Sequence, residues 1–231
     1  MASTYKPYRA FEYAGEFIKR MNLNEVGHMI LDHALKHMWM TAPWRWTVGA
    51  LTPVTLASNT EDYTITRPTP TDDMLYLLRA QYVQAQAGGK DGARDLDIES
   101  YLPTNVIIGQ PSAVALTSST NLRVFPKPGT LSGTNQIVLQ YKKTCPQITK
   151  QNMHTAGVQV FDDEWFPVYV QGVLYYAYMF AYDTRAGSAS VQPGGTAYSG
   201  QLGVYRAALN EMALREKLPS YPTPRTEPTV K

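Results

Sequence analysis

The chain has 231 residues, of which 44% are hydrophobic and 17% charged, so it can bury a core but is poorer in charge than an average globular domain. A net charge of +2 gives no electrostatic case for nucleic acid as the main partner, and the single cysteine, Cys145, excludes an intrachain disulfide. Its 16 tyrosines suit either a surface that meets other proteins or a β-rich fold. The polar and aromatic start of the chain has no apolar run, so we expect no secretory signal.

Two short amphipathic helices in series are predicted over residues 10–42. Apolar residues recur at helical spacing over Ala10–Met21 and again from Asn24 to about Met40. Asn24 can cap the second helix, and Pro43 ends it. The two helices therefore predict a helical hairpin.

Two tryptophans follow these helices, one on each side of Arg45. In an extended segment Trp44 and Trp46 would point to the same side. They predict either hydrophobic anchors that seat the helices on a sheet or, together with Arg45, a hot spot for a partner or a neighbouring subunit.

A sheet is predicted over residues 53–143, where hydrophobicity alternates with a period of two. Val54 to Ile65 predicts a β-hairpin, Met74–Val83 a strand, and Asp95–Leu102 one or two helical turns. With the later strands this gives an antiparallel β-meander or sandwich of about five or six strands. The later candidate strands are Ala113–Thr117, Asn121–Phe125 and Ile137–Lys142.

A glycine-rich polar stretch, Ala87–Asp95, interrupts this region. It lacks the Gly-Lys-Ser/Thr sequence that opens a helix in phosphate-binding loops. We therefore expect a mobile loop that reaches a partner or neighbouring subunit, with Lys90 and Arg94 as its contact residues.

A second helical pair is predicted over residues 163–217. The run from Trp165 to Tyr182 carries no charge, which predicts a helix buried on most sides. A run of this length could also span a membrane, but its tyrosines and its proline favour a core helix. Asp163 is its expected N-cap, and Pro167 falls in the first turn.

The end of the chain predicts a flexible loop, a last helix and an arm. Ala186–Gly200 is rich in glycine and serine, which is typical of a flexible loop, and Ser199 can cap the helix that follows. Glu216 is expected on the solvent-exposed side of that helix. Residues 218–231 contain four prolines, so we expect an extended arm that becomes ordered only against a partner.

Familiar catalytic and metal-binding patterns are absent from the sequence. His33 and His37 share a helical face but have no obvious third ligand, and the acids at 162–164 are explained by a helix N-terminus. There is no Gly-x-Ser-x-Gly elbow and no dinucleotide fingerprint. We therefore predict no enzyme, no cofactor and no metal.

Several motifs follow one another in a specific order. They are Trp44 and Trp46, Val54-Thr55-Leu56, Glu61-Asp62-Tyr63-Thr64-Ile65, Gly109-Gln110-Pro111-Ser112-Ala113, Asn121–Pro128, Ile137–Tyr141, Phe161–Trp165, Tyr205–Leu209 and Arg215–Lys217. Together they resemble the head–tail adaptor (connector) proteins of tailed bacteriophages. The resemblance covers residues 40–217 and leaves out the Gly88–Arg94 loop and the Pro-rich arm.

The resemblance implies an α+β fold with one adaptor domain over residues 1–217 and an arm over 218–231. It implies a structural virion protein, assembled in the host cytoplasm, with no membrane association. Such a protein forms a homo-oligomeric ring, commonly of twelve copies, that joins the portal to the tail or nozzle and extends the DNA channel without sequence-specific binding. The expected portal contacts in the arm are Tyr221, Pro222 and Arg225.

Two other classes of protein are compatible with the same composition. The first is another neck or tail component, namely a stopper, tail-completion or nozzle protein. The second is a β-sandwich enzyme or carbohydrate-binding module, in which tryptophans and tyrosines would stack on sugar.

Overall fold

The computed structural model describes residues 4–15, 25–67, 74–85, 92–104, 107–131, 133–192 and 195–216. They form an α+β fold, as predicted. The described residues fall into two compact units. We call the unit formed by residues 4–47 and 145–216 the helical unit, and the unit formed by Val48–Thr144 the sheet unit.

The described part of the helical unit contains four α-helices, and the third lies against the other three. None of them is both long and apolar enough to cross a bilayer. Residues 16–24, which include the end of the first predicted helix, lie outside the described residues. The helices are α1 (Pro7–Gly15), α2 (Gly27–Thr41), α3 (Phe166–Phe180) and α4 (Gly200–Glu216).

Helix α3 confirms the prediction of a helix buried on most sides. One tyrosine of α3 and one of α4 are fully buried with their hydroxyl groups hydrogen-bonded. Tyr169 Oη donates to the carbonyl oxygen of Leu31 at 2.9 Å, and Tyr205 Oη donates to the carbonyl oxygen of Ala34 at 3.4 Å. Uncharged residues with satisfied hydroxyls let the helix lie inside protein.

The start of α3 differs in part from the prediction. Pro167 lies in the first turn, as expected, but Asp163 is not the N-cap. Asp163 lies in a short 3-10 turn, Asp163–Trp165, and its carboxylate accepts hydrogen bonds from the backbone and hydroxyl of Thr4 at 2.9 and 2.6 Å. A carboxylate engaged in this way is not directed at the first amides of the helix.

Helices α3 and α4 approach closely at a glycine. A Cβ atom added to Gly172 would lie 2.8 Å from Cζ of Tyr205, a side chain with no exposed surface. Glycine at this position lets the large ring of one helix rest on the backbone of the other.

The sheet unit contains ten described strands, eight of them in one sheet rich in antiparallel pairs. The strand order is β1-β10-β4-β5-β7-β8-β3, with β2 also paired to β10, and β6 and β9 form a separate short parallel pair. The strands are β1 (Val48–Ala50), β2 (Val54–Thr55), β3 (Asp62–Thr64), β4 (Met74–Ala85), β5 (Gly92–Glu99), β6 (Ile108–Gly109), β7 (Ala113–Leu116), β8 (Asn121–Phe125), β9 (Lys127–Pro128) and β10 (Thr134–Lys143).

The sheet confirms the strand predicted at Met74–Val83, which is β4, but three other predictions here are wrong. Val54–Ile65 is no hairpin, since β2 pairs with β10 and β3 with β8. Asp95–Leu102 contains no described helical turn, because β5 runs to Glu99 between β4 and β7. A simple meander is also excluded, because β5 and β7 are parallel.

The diverging strands β2 and β3 have a local cause. The hydroxyl of Tyr63 bonds to the carbonyl oxygens of Ala57 and Thr60, at 3.1 and 2.8 Å, so the connecting turn wraps around that side chain. These side-chain hydrogen bonds stabilise the turn in place of backbone pairing between β2 and β3. On β3, Asp62 instead forms a bidentate pair with Arg123 of β8, with both distances 2.8 Å.

The predicted flexible loop at Ala186–Gly200 contains a β-hairpin, so that prediction is wrong for its strands. They are β11 (Ala189–Gln192) and β12 (Gly195–Tyr198), and the two residues between them lie outside the described set. At the base of this hairpin the chain requires glycine at position 187. Gly187 has φ +80°, and a Cβ atom there would lie 1.9 Å from the carbonyl oxygen of Ser199. The Ser199 hydroxyl accepts from the amide of Ser188 at 3.0 Å.

Candidate partner-binding site

The tryptophans singled out in the sequence lie in the helical unit, Trp44 directly before a 3-10 turn (Arg45–Thr47) and Trp46 within it, rather than in an extended segment. Trp44 is fully buried, and its indole N–H donates to the Met38 carbonyl oxygen at 2.5 Å. The rings of Trp44 and Trp46 stack with centroids 6.4 Å apart and an angle of 7°. The turn thus places Trp44 in the core, while Trp46 and Arg45 line a cleft.

This cleft, which we call the Trp46 cleft, has a volume of about 440 Å³ and lies between the 3-10 turn, the start of α3 and the end of α4. Arg45 and Arg215 supply its positive charges, and three carboxylates its negative ones. Its lining residues are Arg45, Trp46, Asp162, Glu164, Trp165, Arg215 and Glu216.

Glu216 is the buried carboxylate of the cleft, with 9% of its surface exposed. Its Oε1 accepts a hydrogen bond from the indole N–H of Trp165 at 3.0 Å, and its Oε2 lies 3.9 Å from Nε of Arg45. The expectation that Glu216 faces water is therefore wrong. Glu216 continues the helical spacing of the buried residues of α4, which are Leu202, Tyr205, Leu209 and Met212, so the spacing places it on the inner face and only its charge argued for exposure.

Two buried polar atoms of the cleft have no hydrogen-bond partner among the described residues. They are the indole N–H of Trp46 and Oε2 of Glu216. One is a donor and the other an acceptor, which is the complement of a peptide unit. Because burying an indole N–H without an acceptor costs free energy, the cleft is suited to a bound group that supplies a carbonyl oxygen to Trp46, whereas Oε2 of Glu216 already faces the cation of Arg45.

Arg94 lies on β5 of the sheet unit and not in a loop, so this part of the glycine-rich loop prediction is wrong. Its guanidinium donates to Gln110 Oε1 at 3.1 Å and to the carbonyl oxygen of Pro111, and it lies 5.3 Å from the ring centroid of Tyr82. These contacts fix the side chain against its own unit.

Four other residues expected to contact partners lie outside the described residues. They are Lys90, Tyr221, Pro222 and Arg225.

The β11–β12 hairpin is a second surface of interest. All eight strand residues are exposed, Val191 to 91%, and the sequence from Ala186 to Tyr205 carries no charge. Natural proteins usually protect exposed strand edges with charged residues. A charge-free exposed ribbon is therefore suited to contact with another protein.

The histidines of α2 lie near aromatic side chains. Nδ1 of His37 is 3.1 Å from the hydroxyl of Tyr176, and burial, with Arg206 nearby, lowers the pKa of His37. His33 stacks on the same tyrosine. Within the described part of the chain, no three His, Cys, Asp or Glu side chains are placed to hold a metal ion.

Comparison with known protein families gives a match over most of the chain. The model of a family described as SU10 adaptor protein matches residues 29–227, which includes most of α2, the sheet unit and the residues that line the Trp46 cleft. Helix α1 lies before the matched range. No curated protein matches the chain.

Proposed function

The chain belongs to the SU10 adaptor protein family, and from this we propose that it joins the portal of a tailed phage to its tail. As a phage structural adaptor it is a virion protein, and the family implies assembly with portal and tail components. We propose that the protein acts by assembly and carries out no catalysis. The observation that carries the proposal is the family match over most of the chain.

The proposed assembly is a homo-oligomeric ring under the portal, of twelve copies, that extends the DNA channel. A ring needs two different faces on each subunit, because neighbours contact each other head to tail. The charge-free β11–β12 hairpin, with Val191 exposed, supports one such face. We propose that contacts with the portal itself are made by the Pro-rich arm, through Tyr221, Pro222 and Arg225.

DNA would pass through the ring without sequence-specific contacts. The net charge of +2 supports this, since a protein that holds DNA tightly has a strong excess of positive charge. We therefore propose that Lys90 and Arg94 serve assembly. Changing either should reduce ring formation more than it reduces retention of packaged DNA.

A single charge on the hairpin tests the assembly surface. Val191→Asp should leave the fold intact, because the side chain is 91% exposed, but should reduce ring formation on the portal about ten-fold or more if this surface is buried between subunits. Negative-stain imaging of portal mixed with adaptor would count decorated portals.

The matched control is Tyr13→Asp, at a residue that is 52% exposed and lies before the family-matched range. It should assemble like the unchanged protein. Normal assembly of Val191→Asp would remove the hairpin from the proposed interface. Binding to tail proteins but not to the portal would favour a stopper, tail-completion or nozzle role.

A further inference from the structure

Arg206 of α4 is a partly buried cation that forms neither an ion pair nor a side-chain hydrogen bond within the described ranges of the chain. Its guanidinium lies 5.4 Å from the ring centroid of Tyr198, which belongs to β12 of the exposed hairpin. Its Nε–H is buried and donates to no described acceptor. Other arginines pair with carboxylates, namely Arg79, Arg123, Arg185 and Arg215. Arg206 therefore has a buried donor available for a ligand.

The elements that surround Arg206 supply no negative charge for it. Helix α3 has no charged residue, the β11–β12 hairpin has none, and α4 has none before Arg206. The one acid of α2 is Asp32, which already pairs with Lys36 at 2.6 Å. The next acid along α4 is Glu211, which pairs with Arg215. A counter-charge for Arg206 has to come from outside these elements.

The chemistry around Arg206 favours a carboxylate as that counter-charge. Burial and, after it, the charge of Arg206 lower the pKa of His37, so at pH 7 this imidazole is neutral and the positive charge of the site is that of the arginine. Nδ1 of His37 is engaged by the hydroxyl of Tyr176 at 3.1 Å. The Nε–H of a guanidinium and one terminal N–H lie side by side, which lets arginine bind both oxygens of one carboxylate.

The position of Arg206 indicates which molecule carries the carboxylate. Tyr198 beneath the guanidinium belongs to the hairpin that we propose as a face between subunits, and Val204 beside it on α4 is 52% exposed. When this apolar surface is covered, Arg206 is buried with it, and a buried arginine requires an acid on the covering molecule. In a ring that molecule is another copy of the chain. Its helical unit exposes acids such as Glu12 and Glu164.

We propose that Arg206 binds a carboxylate side chain of a neighbouring copy of this chain at the edge of the β11–β12 hairpin face. The hairpin then supplies the apolar area of the contact, and the charge pair fixes its orientation. That the carboxylate belongs to a neighbouring copy rests on the proposed ring, whereas the carboxylate site at Arg206 does not.

Acetate titrated into the free full-length protein tests the site without any assembly. Nuclear magnetic resonance of the arginine Nε–H groups follows binding, and the Arg206 signal is the one missing from the Arg206→Lys protein. We expect it to reach half of its shift at an acetate concentration about five-fold lower than the signal of Arg215, which already pairs with Glu211. Sodium chloride at the same concentrations is the blank. An Arg206 signal no more responsive than that of Arg215 would overturn the site.

Ring formation on the portal tests whether the site serves assembly. Arg206→Gln should reduce the number of decorated portals about ten-fold, because the neighbour's carboxylate loses its cation, whereas Arg206→Lys keeps the charge and should retain most of them. The matched control is Arg9→Gln, which removes an arginine that also lies over a tyrosine ring but precedes the family-matched range. Assembly of Arg206→Gln at the level of this control would overturn a role in assembly.

Carbodiimide cross-linking of assembled Arg206→Lys identifies the source of the carboxylate, because the reagent joins an amine only to a carboxylate in contact with it. Unlabelled and isotope-labelled copies are mixed before assembly, and mass spectrometry reads the joined peptides. We expect pairs of mixed mass, which come from two copies. Pairs of one mass only, a link to the portal, or no link at position 206 would each overturn the neighbouring copy as the source. A chain that binds acetate at Arg206 but forms no ring would contradict the proposed function and not the site.

Discussion

Replacing Gly172 by alanine should destabilise the helical unit by about 2 kcal/mol. The added methyl group would lie 2.8 Å from Cζ, 3.0 Å from the hydroxyl oxygen and 3.1 Å from Cε2 of Tyr205. That ring is fully buried and hydrogen-bonded to the Ala34 carbonyl, so it cannot swing into solvent. Either α3 and α4 move apart or the ring leaves its position.

The magnitude follows from two opposing terms. Overpacking a well-filled core costs about 1–3 kcal/mol, and the rigid ring places this site near the upper value. Alanine is better than glycine within a helix by about 1 kcal/mol, which offsets part of the cost. The net loss of about 2 kcal/mol should lower the urea midpoint by about 1 M.

Tryptophan fluorescence during urea unfolding reports the helical unit alone, because all four tryptophans lie in it. Gly15→Ala is the control: it also adds a methyl group within a helix of this unit, but no other atom lies within 4 Å of the new Cβ. It should leave the midpoint unchanged or raise it slightly. A Gly172→Ala protein as stable as the unchanged chain would refute the close contact between α3 and α4.

Three further changes test other contacts. Trp44→Phe should cost about 1–2 kcal/mol in denaturant unfolding followed by circular dichroism, because the Met38 carbonyl loses its buried donor; an unchanged midpoint would contradict this. Hydrogen bonds from Arg123 lower the pKa of Asp62 in the folded protein. The pair therefore stabilises the fold at pH values above the pKa of an unfolded aspartate, which is about 4. This stabilisation is lost as the pH falls through the lower pKa that Asp62 has in the folded state. Asp62→Asn should therefore cost less than about 1 kcal/mol at pH 7 and nothing at low pH; an equal loss at both pH values would be inconsistent with the charge pair. Arg94→Ala should reduce ring formation more than DNA retention in assembled particles, and the reverse order would argue against a role in assembly.

Helix α3 and strand β4 could be predicted because their signals are local. An uncharged apolar run bounded by acids and a glycine-rich stretch predicts a buried helix whatever surrounds it. The tyrosine- and leucine-rich run at Met74–Val83 predicts a strand from its short length and its position after the predicted hairpin. Both assignments depend on the element itself and on the residues next to it in the sequence.

The remaining elements depend on contacts between distant parts of the chain. β5 carries charges at Arg94 and Asp95 that do not predict a strand, but each finds a partner on another segment, and Arg79 of β4 pairs with Asp95 at 2.8 Å. The pairing of β2 with β10 likewise joins residues about eighty positions apart. No local pattern contains that information.

The candidate site was only partly visible in the sequence. The sequence predicts a partner contact at Trp44, Arg45 and Trp46 from two tryptophans that flank an arginine. Of these residues, Arg45 and Trp46 line the cleft. Trp165 and Glu216 were missed as site residues, because they meet the turn only when the start of α3 packs beside the end of α4. A charged last residue of a helix ordinarily faces solvent, and this expectation outweighed the spacing from Met212, which places Glu216 on the buried face of α4.

The mass of the purified full-length chain, alone and mixed with its candidate portal, decides whether this protein is a portal-dependent adaptor. Light scattering combined with negative-stain imaging would give both the mass and the symmetry. We expect a monomer that forms a ring of fixed copy number, twelve in our proposal, only when the portal is present. A chain that stays monomeric and unbound at portal concentrations sufficient for virion assembly would contradict the proposed function.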